Sequence, residues 1–207
     1  MKITKIEPQK KRKDRYNVFA DDQFCCGLSQ DTIIDSALEV GQEISQKEID
    51  ELIDKDQSSK AFDKAIRFLG YRVRTEKEIR DKLKEKEFDK KVIEKTIKKL
   101  KKMDYISDSG FVESWVSDRV SVKPEGKRLI AAELRQKGVD QKIIDQKLPK
   151  LITSKTETRL AKKVYEKALK KYGNLPKFEQ NKKITAYLMR RGFDWETINK
   201  IRNRFTF

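Results

Sequence analysis

Three segments of this chain, Ile79 to Leu100, Ile130 to Leu151 and Ile184 to Phe205, align without a gap, and this internal repeat restricts the fold more than any other feature. Each carries an apolar pair four residues apart, Ile79/Leu83, Ile130/Leu134 or Ile184/Leu188, which places both side chains on one helix face. A cation follows at Lys86, Lys137 or Arg191. The next position wants a left-handed residue that stops the helix. Gly138 and Gly192 supply it, while Glu87 stands there in the first copy at an expected cost of up to about 1 kcal/mol. An apolar residue and an aspartate come next in every copy, Phe88-Asp89, Val139-Asp140 and Phe193-Asp194. With the aspartate as N-cap, the residue before it and the one four beyond it (Ile93, Ile144 or Ile198) form a hydrophobic staple. The staple sets the angle between consecutive helices, so each copy is expected to fold into the same helical hairpin.

A further helical stretch precedes each hairpin, Ala61 to Arg72, Gly110 to Val120 and Thr158 to Tyr172, which makes three helices per copy. Thr75 and Glu78 form a capping box for the second helix of copy one, and Pro124 and Pro176 are read as first-turn residues in copies two and three. Pro149 is expected to shorten the last helix of copy two. The amino-terminal part reads as β: Tyr16, Val18 and Ala20 alternate with polar neighbours, Asp21-Asp22 marks a turn, and Phe24, Cys26 and Leu28 alternate again. Ile3 to Glu7 adds a third strand, with Lys10, Lys11, Arg12 and Lys13 as a basic tip between the first two. From Asp31 to Leu52 the signals turn helical, with a capping box at Ser45 and Glu48, and the polar stretch Asp54 to Ser59 is read as a break. The expected fold is mainly α: three tandem three-helix repeats in an elongated, curved array, after a small antiparallel β element and a helix. The expected divisions are 1–58, 59–106, 107–154 and 155–207.

The positive charge follows the helical part. Residues 1–60 hold 10 Lys/Arg against 13 Asp/Glu, whereas residues 61–207 hold 40 against 21. Such a surface attracts polyanions at long range, nucleic acid first among them, although Lys-rich helices are also simply well solvated. The chain has no histidine, and its only cysteines are the adjacent Cys25 and Cys26, read as pointing to opposite faces of a strand. Metal sites and disulfide frameworks need more ligands at wider spacing, and no cofactor is called for. General acid–base chemistry has no histidine to use, and no G-x-x-x-x-G-K loop is present to cradle a phosphate, so binding is the expected activity rather than catalysis. No apolar run approaches the roughly 20 residues of a membrane span, and a cytoplasmic monomer is expected.

The copy junctions resemble the RecX family of regulators of the RecA recombinase. Arg72 and Thr75, followed by Glu78, Ile79 and Leu83, look like that family's basic residue, Ser/Thr cap and amphipathic helix. Tyr105-Ile106-Ser107-Asp108, with Phe111, Trp115 and Arg119, is the most diagnostic piece. Gly126-Lys127-Arg128 with Ile130, Glu133, Leu134, Lys137 and Gly138 matches the second-copy pattern. Glu87 departs from a position where the family favours glycine, and the amino-terminal β part is not in every member. The resemblance implies a protein that binds the RecA–DNA filament, lies in its groove and restrains strand exchange, ATP hydrolysis and co-protease activity, with a place in DNA repair and the SOS response.

The expected partner-binding residues are Lys127, Arg128, Arg135 and Lys137 in copy two and Lys182, Lys183, Arg190 and Arg191 in copy three, with Arg119 and Lys123 at the junction feeding that surface. Arg72 and Arg74 are weaker candidates, since a helix dipole alone can account for them. Direct DNA contact, single- or double-stranded, would show as a log–log salt slope of roughly −0.7 per phosphate on single strands. Phe111 and Trp115 are four apart and read as core, while Trp195 is read as exposed. A stand-alone nucleic-acid-binding module is the rival reading, opposed by the repetition, since helix-turn-helix readers usually present one recognition helix per domain.

Overall fold

The computed structural model describes residues 1–205; the last two residues of the expected third copy, 206 and 207, lie outside the described residues. Three strands, β1 (Ile3–Pro8), β2 (Arg15–Ala20) and β3 (Gln23–Ser29), form an antiparallel meander in that order. The turn between β2 and β3 uses Asp21 and Asp22 with φ of 46° and 58°, the left-handed pair that matches the twist of a tight hairpin. Among the described residues ten helices follow: α1 (Gln30–Asp35), α2 (Gln46–Leu69), α3 (Glu76–Glu85), α4 (Lys90–Lys102), α5 (Asp108–Ser121), α6 (Lys127–Gln136), α7 (Gln141–Leu151), α8 (Ser154–Tyr172), α9 (Lys177–Arg190) and α10 (Trp195–Phe205). In chain order the last part of α2 with α3 and α4, then α5 to α7, then α8 to α10, make three three-helix copies. Among the described residues no helix is long and apolar enough to cross a membrane.

The chain packs as two compact units, Met1–Tyr71 with Arg80–Met103, and Arg72–Ile79 with Asp104–Phe207. In the first, Ile3, Val18, Ala20, Cys26 and Leu28 from the sheet close over Leu38, Ile44 and Ile49. Cys26 is buried and Cys25 only half-buried, as opposite faces of one strand require. The alternation fails at Phe24, which is exposed: the register shifts between Val18 and Phe19, and Phe24 stands opposite Phe19 with their rings edge-on at 5.9 Å.

The polar stretch Asp54 to Ser59, expected as a break, lies inside α2, which runs unbroken from its Ser45/Glu48 capping box to Leu69. The reason is Asp56, almost fully buried beneath the sheet. Its carboxylate accepts from the Ser29 N–H (2.8 Å) and pairs with Lys60 (2.5 Å) and Arg15 (3.4 Å). Burial raises its pKa, but the lysine and the Ser29 hydrogen bonds outweigh that and leave it below the ordinary value.

In the second unit, Phe111, Val112 and Val116 of α5 pack on Ile130, Leu134, Val139, Ile144 and Leu148. Leu160, Val164 and Tyr165 of α8 pack in the same way on Ile184, Leu188, Phe193 and Ile198. The apolar pairs and the staple residues Val139/Ile144 and Phe193/Ile198 are therefore the core of their copies. The aspartate caps are less uniform. Asp140 accepts from Lys142 N and Asp194 from Thr197 N, both at 2.7 Å, while the Asp89 side chain makes no capping bond. Pro124 and Pro176 stand outside the helices, since α6 is capped by Gly126 and Pro176 is itself the N-cap of α9. Pro149 lies within the last turn of α7, which ends two residues later at Leu151.

Glu87 has φ 60°, where Gly138 and Gly192 both have 84°. Glu87→Gly is therefore expected to raise stability by about 1 kcal/mol, read from the urea midpoint of unfolding.

Candidate partner-binding surface

The second helices of successive copies meet end to end within the second unit. At the start of α3 the Thr75 hydroxyl donates to the carbonyl of Lys137, which terminates α6, at 2.8 Å. At the start of α6 the N–H groups of Gly126 and Arg128 donate to the carbonyls of Arg191 and Gly192, which terminate α9, at 2.8 and 3.2 Å. The first N–H groups and last carbonyls of a helix have no partner inside it, and here two helices satisfy each other. The fit leaves no room: a Cβ on Gly126 would lie 2.2 Å from the Gly192 carbonyl oxygen, and one on Gly138 2.4 Å from the Lys77 side chain.

A carboxylate from the next copy's first helix caps each joint. Asp108 accepts from Glu76 N (3.2 Å), and Glu157, buried, accepts from Lys127 N (3.1 Å) while pairing with the Lys127 ammonium (3.0 Å). Ion pairs then brace the joints. Glu78 takes Arg72 and Lys137, both at 2.7 Å. Glu125, with no solvent exposure, takes Lys123 (2.9 Å), Arg119 (3.2 Å) and Arg191 (3.2 Å). Arg119 also reaches Glu133 (2.8 Å), which accepts from the Trp115 indole, and its guanidinium lies 4.2 Å from the centre of that ring. Trp115 in turn stacks on Phe111 at 5.4 Å.

The structure thus divides the sequence-predicted site residues into two groups. Arg72, Arg119, Lys123, Lys127, Lys137 and Arg191 are held by carboxylates at the joints. Arg74 is half-buried beside them, its pKa lowered by burial and by the charge of Arg72. Arg128, Arg135, Lys182, Lys183 and Arg190 are exposed on the outer faces of α6 and α9, with no ion pair among the described residues; Arg135 touches only the amide oxygen of Gln141, at 3.5 Å.

Two basic clefts escaped the sequence reading. Lys155, Arg159, Lys162 and Lys200 line a cleft between α8 and α10, with Lys162 and Lys200 paired to Glu166 (3.8 Å) and Glu196 (2.6 Å). In the first unit Arg12, Lys60, Lys64, Arg67 and Lys86 line another, together with Asp14, Asp31 and Asp63. The signal was available. Lys155, Arg159 and Lys162, like Lys60, Lys64 and Arg67, recur at the spacing of one helix face, but on first helices rather than second ones.

Glu78 makes the joint between copies one and two pH-sensitive. Burial alone would raise its pKa, yet hydrogen bonds from Arg72, Lys137 and the Thr75 N–H bring it from 4.5 to about 2. A carboxylate depressed in the folded state contributes stability above its unfolded pKa and loses it as pH falls through the folded one. Stability is therefore expected to decline between about pH 4.5 and pH 2, and Glu78→Gln to flatten that part of the profile in acid titrations followed by circular dichroism. Gly126→Ala is expected to cost about 1–3 kcal/mol in urea unfolding, because backbone must move to admit the methyl group.

Models of known families match along the chain. One described as the regulatory protein RecX N-terminal domain covers residues 1–45, and the first, second and third RecX three-helix domains cover 61–100, 107–148 and 156–201. A regulatory protein RecX of Clostridium acetobutylicum is 36% identical over 204 residues, spanning 96% of this chain and 94% of that protein. One of Bacillus subtilis is 34% identical, spanning 95% of this chain and 74% of that protein. A crystal structure of a regulatory protein RecX superposes with a TM-score of 0.79 at 32% identity over 98% of both chains. RecX from Lactobacillus salivarius gives 0.68 at 29% identity, over 72% of this chain and 97% of that one.

Proposed function

We propose, since this chain belongs to the RecX family of regulatory proteins, that it acts without catalytic turnover by binding the RecA–single-stranded DNA filament and restraining strand exchange, ATP hydrolysis and co-protease activity. The observation that carries this reading is the exposed set Arg128, Arg135, Lys182, Lys183 and Arg190 on the second helices of two copies, with no ion pair among the described residues. Tandem copies offer repeated contacts to a repeating partner, and unpaired surface cations suit both DNA phosphates and acidic protein surfaces. The carboxylate-held cations contribute differently, by fixing the joints that carry the exposed ones. A cytoplasmic location and action as a monomer belong to this same reading.

The reading is tested by titrating the protein, below one copy per recombinase protomer, into single-strand-dependent ATP hydrolysis by RecA, with binding to bare DNA measured in the same buffer. Loss of hydrolysis at ratios too low to coat the DNA is expected. Loss only once the DNA is saturated would instead favour a stand-alone nucleic-acid-binding module.

Lys183→Glu with Arg190→Glu is expected to weaken inhibition about ten-fold or more at low salt, as reversal of two charges at a polyanion contact should, with the thermal midpoint unchanged because both side chains are exposed. Arg191→Glu is unsuitable for this test. It would set a second carboxylate against buried Glu125 and report on folding.

A further inference from the structure

Every large apolar side chain exposed in the third copy among its described residues lines one groove between α9 and α10. Phe178 is 80% exposed, Trp195 51% and Met189 49%, and Lys182 and Arg202 line the same groove. The repeat does not require these aromatics. The positions of Phe178 and Trp195 are held by Val73 and Lys90 in copy one and by Pro124 and Gln141 in copy two.

Helix geometry accounts for how Phe178 comes to be there. The second helices α3 and α6 are 10 residues long and begin at equivalent positions, Glu76 and Lys127. Both start against the end of the following copy's second helix. The equivalent helix α9 runs to 14 residues, with an added first turn, 177–180, that carries Phe178. The surroundings are the most basic in the chain: residues 155–207 hold 15 Lys/Arg against 5 Asp/Glu, whereas 107–154 hold 9 against 7.

We propose that this groove binds single-stranded nucleic acid, with bases stacking on Trp195 and Phe178 and Lys182 contacting the backbone phosphates. Aromatic faces flanked by cations give sequence-tolerant stacking, and the bases of a duplex, already stacked on one another, are not available for it. The inference deepens the filament reading by giving the protein its own hold on the single strand, and it rests on that reading only for its biological setting, since it is tested without recombinase.

The probe is an oligothymidylate added to the full chain with Trp115→Phe, which leaves Trp195 as the sole indole. Quenching of Trp195 emission on the single strand, and little on a duplex of the same length, is expected. Should Trp115→Phe fold poorly, the difference in quenching between the unmodified chain and Trp195→Phe gives the same reading. Phe178→Ala, at a side chain that packs on little of the protein, is expected to weaken oligothymidylate binding about five-fold or more by fluorescence anisotropy. Equal quenching by duplex, or unchanged affinity in Phe178→Ala, would overturn the proposal. Loss of RecA inhibition in Phe178→Ala with bare-strand affinity intact would overturn it too, and would make the groove a seat for a protein segment. If the unmodified chain fails to inhibit RecA but Trp195 is still quenched, the filament reading falls and the groove assignment stands.

Discussion

The second unit depends on the way one helix ends against the start of another. A helix terminus exposes carbonyls that must find donors, and a helix start exposes N–H groups that must find acceptors. The α6–α9 joint pairs these directly, backbone to backbone, and the α3–α6 joint uses the Thr75 hydroxyl for the same purpose. The dipoles agree as well, because the positive start of one helix faces the negative end of the next. Each requirement of the sequence at these places follows from that contact. Glycine stands at 126 because another backbone occupies the space of a side chain, and at 138 and 192 because a left-handed turn must also pass close to its neighbour.

Once the joints are fixed, the charge pattern becomes intelligible. Glu125 is a fully buried carboxylate, and a buried charge is tolerated only with compensating partners. Arg119 provides one from the last turn of α5, Lys123 from the approach to α6 and Arg191 from the end of α9. Much of what reads in sequence as a basic binding face is thus the positive half of an internal ion-pair system. The predicted cations left facing solvent are fewer and lie on the outer sides of α6 and α9.

Much of the fold was legible because its signals are local. The apolar pairs, the staples of copies two and three, the capping boxes at Ser45/Glu48 and Thr75/Glu78, and the Asp21-Asp22 turn each involve residues within a few positions of one another, and each stands where the spacing placed it. Other features depend on distant partners. Asp56 turns a polar stretch into mid-helix because Arg15 and Ser29, 41 and 27 residues away, surround it. Arg191 meets a carboxylate 66 residues back in the chain. No periodicity encodes such meetings, so the sequence could nominate Arg119, Lys127, Lys137 and Arg191 as cations but not reveal that they were already engaged. Trp195 lay between these cases: one position beyond a helix cap, it was readable as exposed, but its grouping with Phe178 and Met189 required the fold.

The joints also give the repeats a direction in time. A ribosome delivers the chain amino terminus first, so Thr75 emerges well before the Lys137 carbonyl it will meet, and Gly126 before Arg191 and Gly192. Until the later copy appears, the earlier one holds its helix start against water, with Asp108 or Glu157 also still to come. Each newly synthesised copy therefore completes the one before it, and an interrupted chain would carry its unfinished polar surface at its growing end.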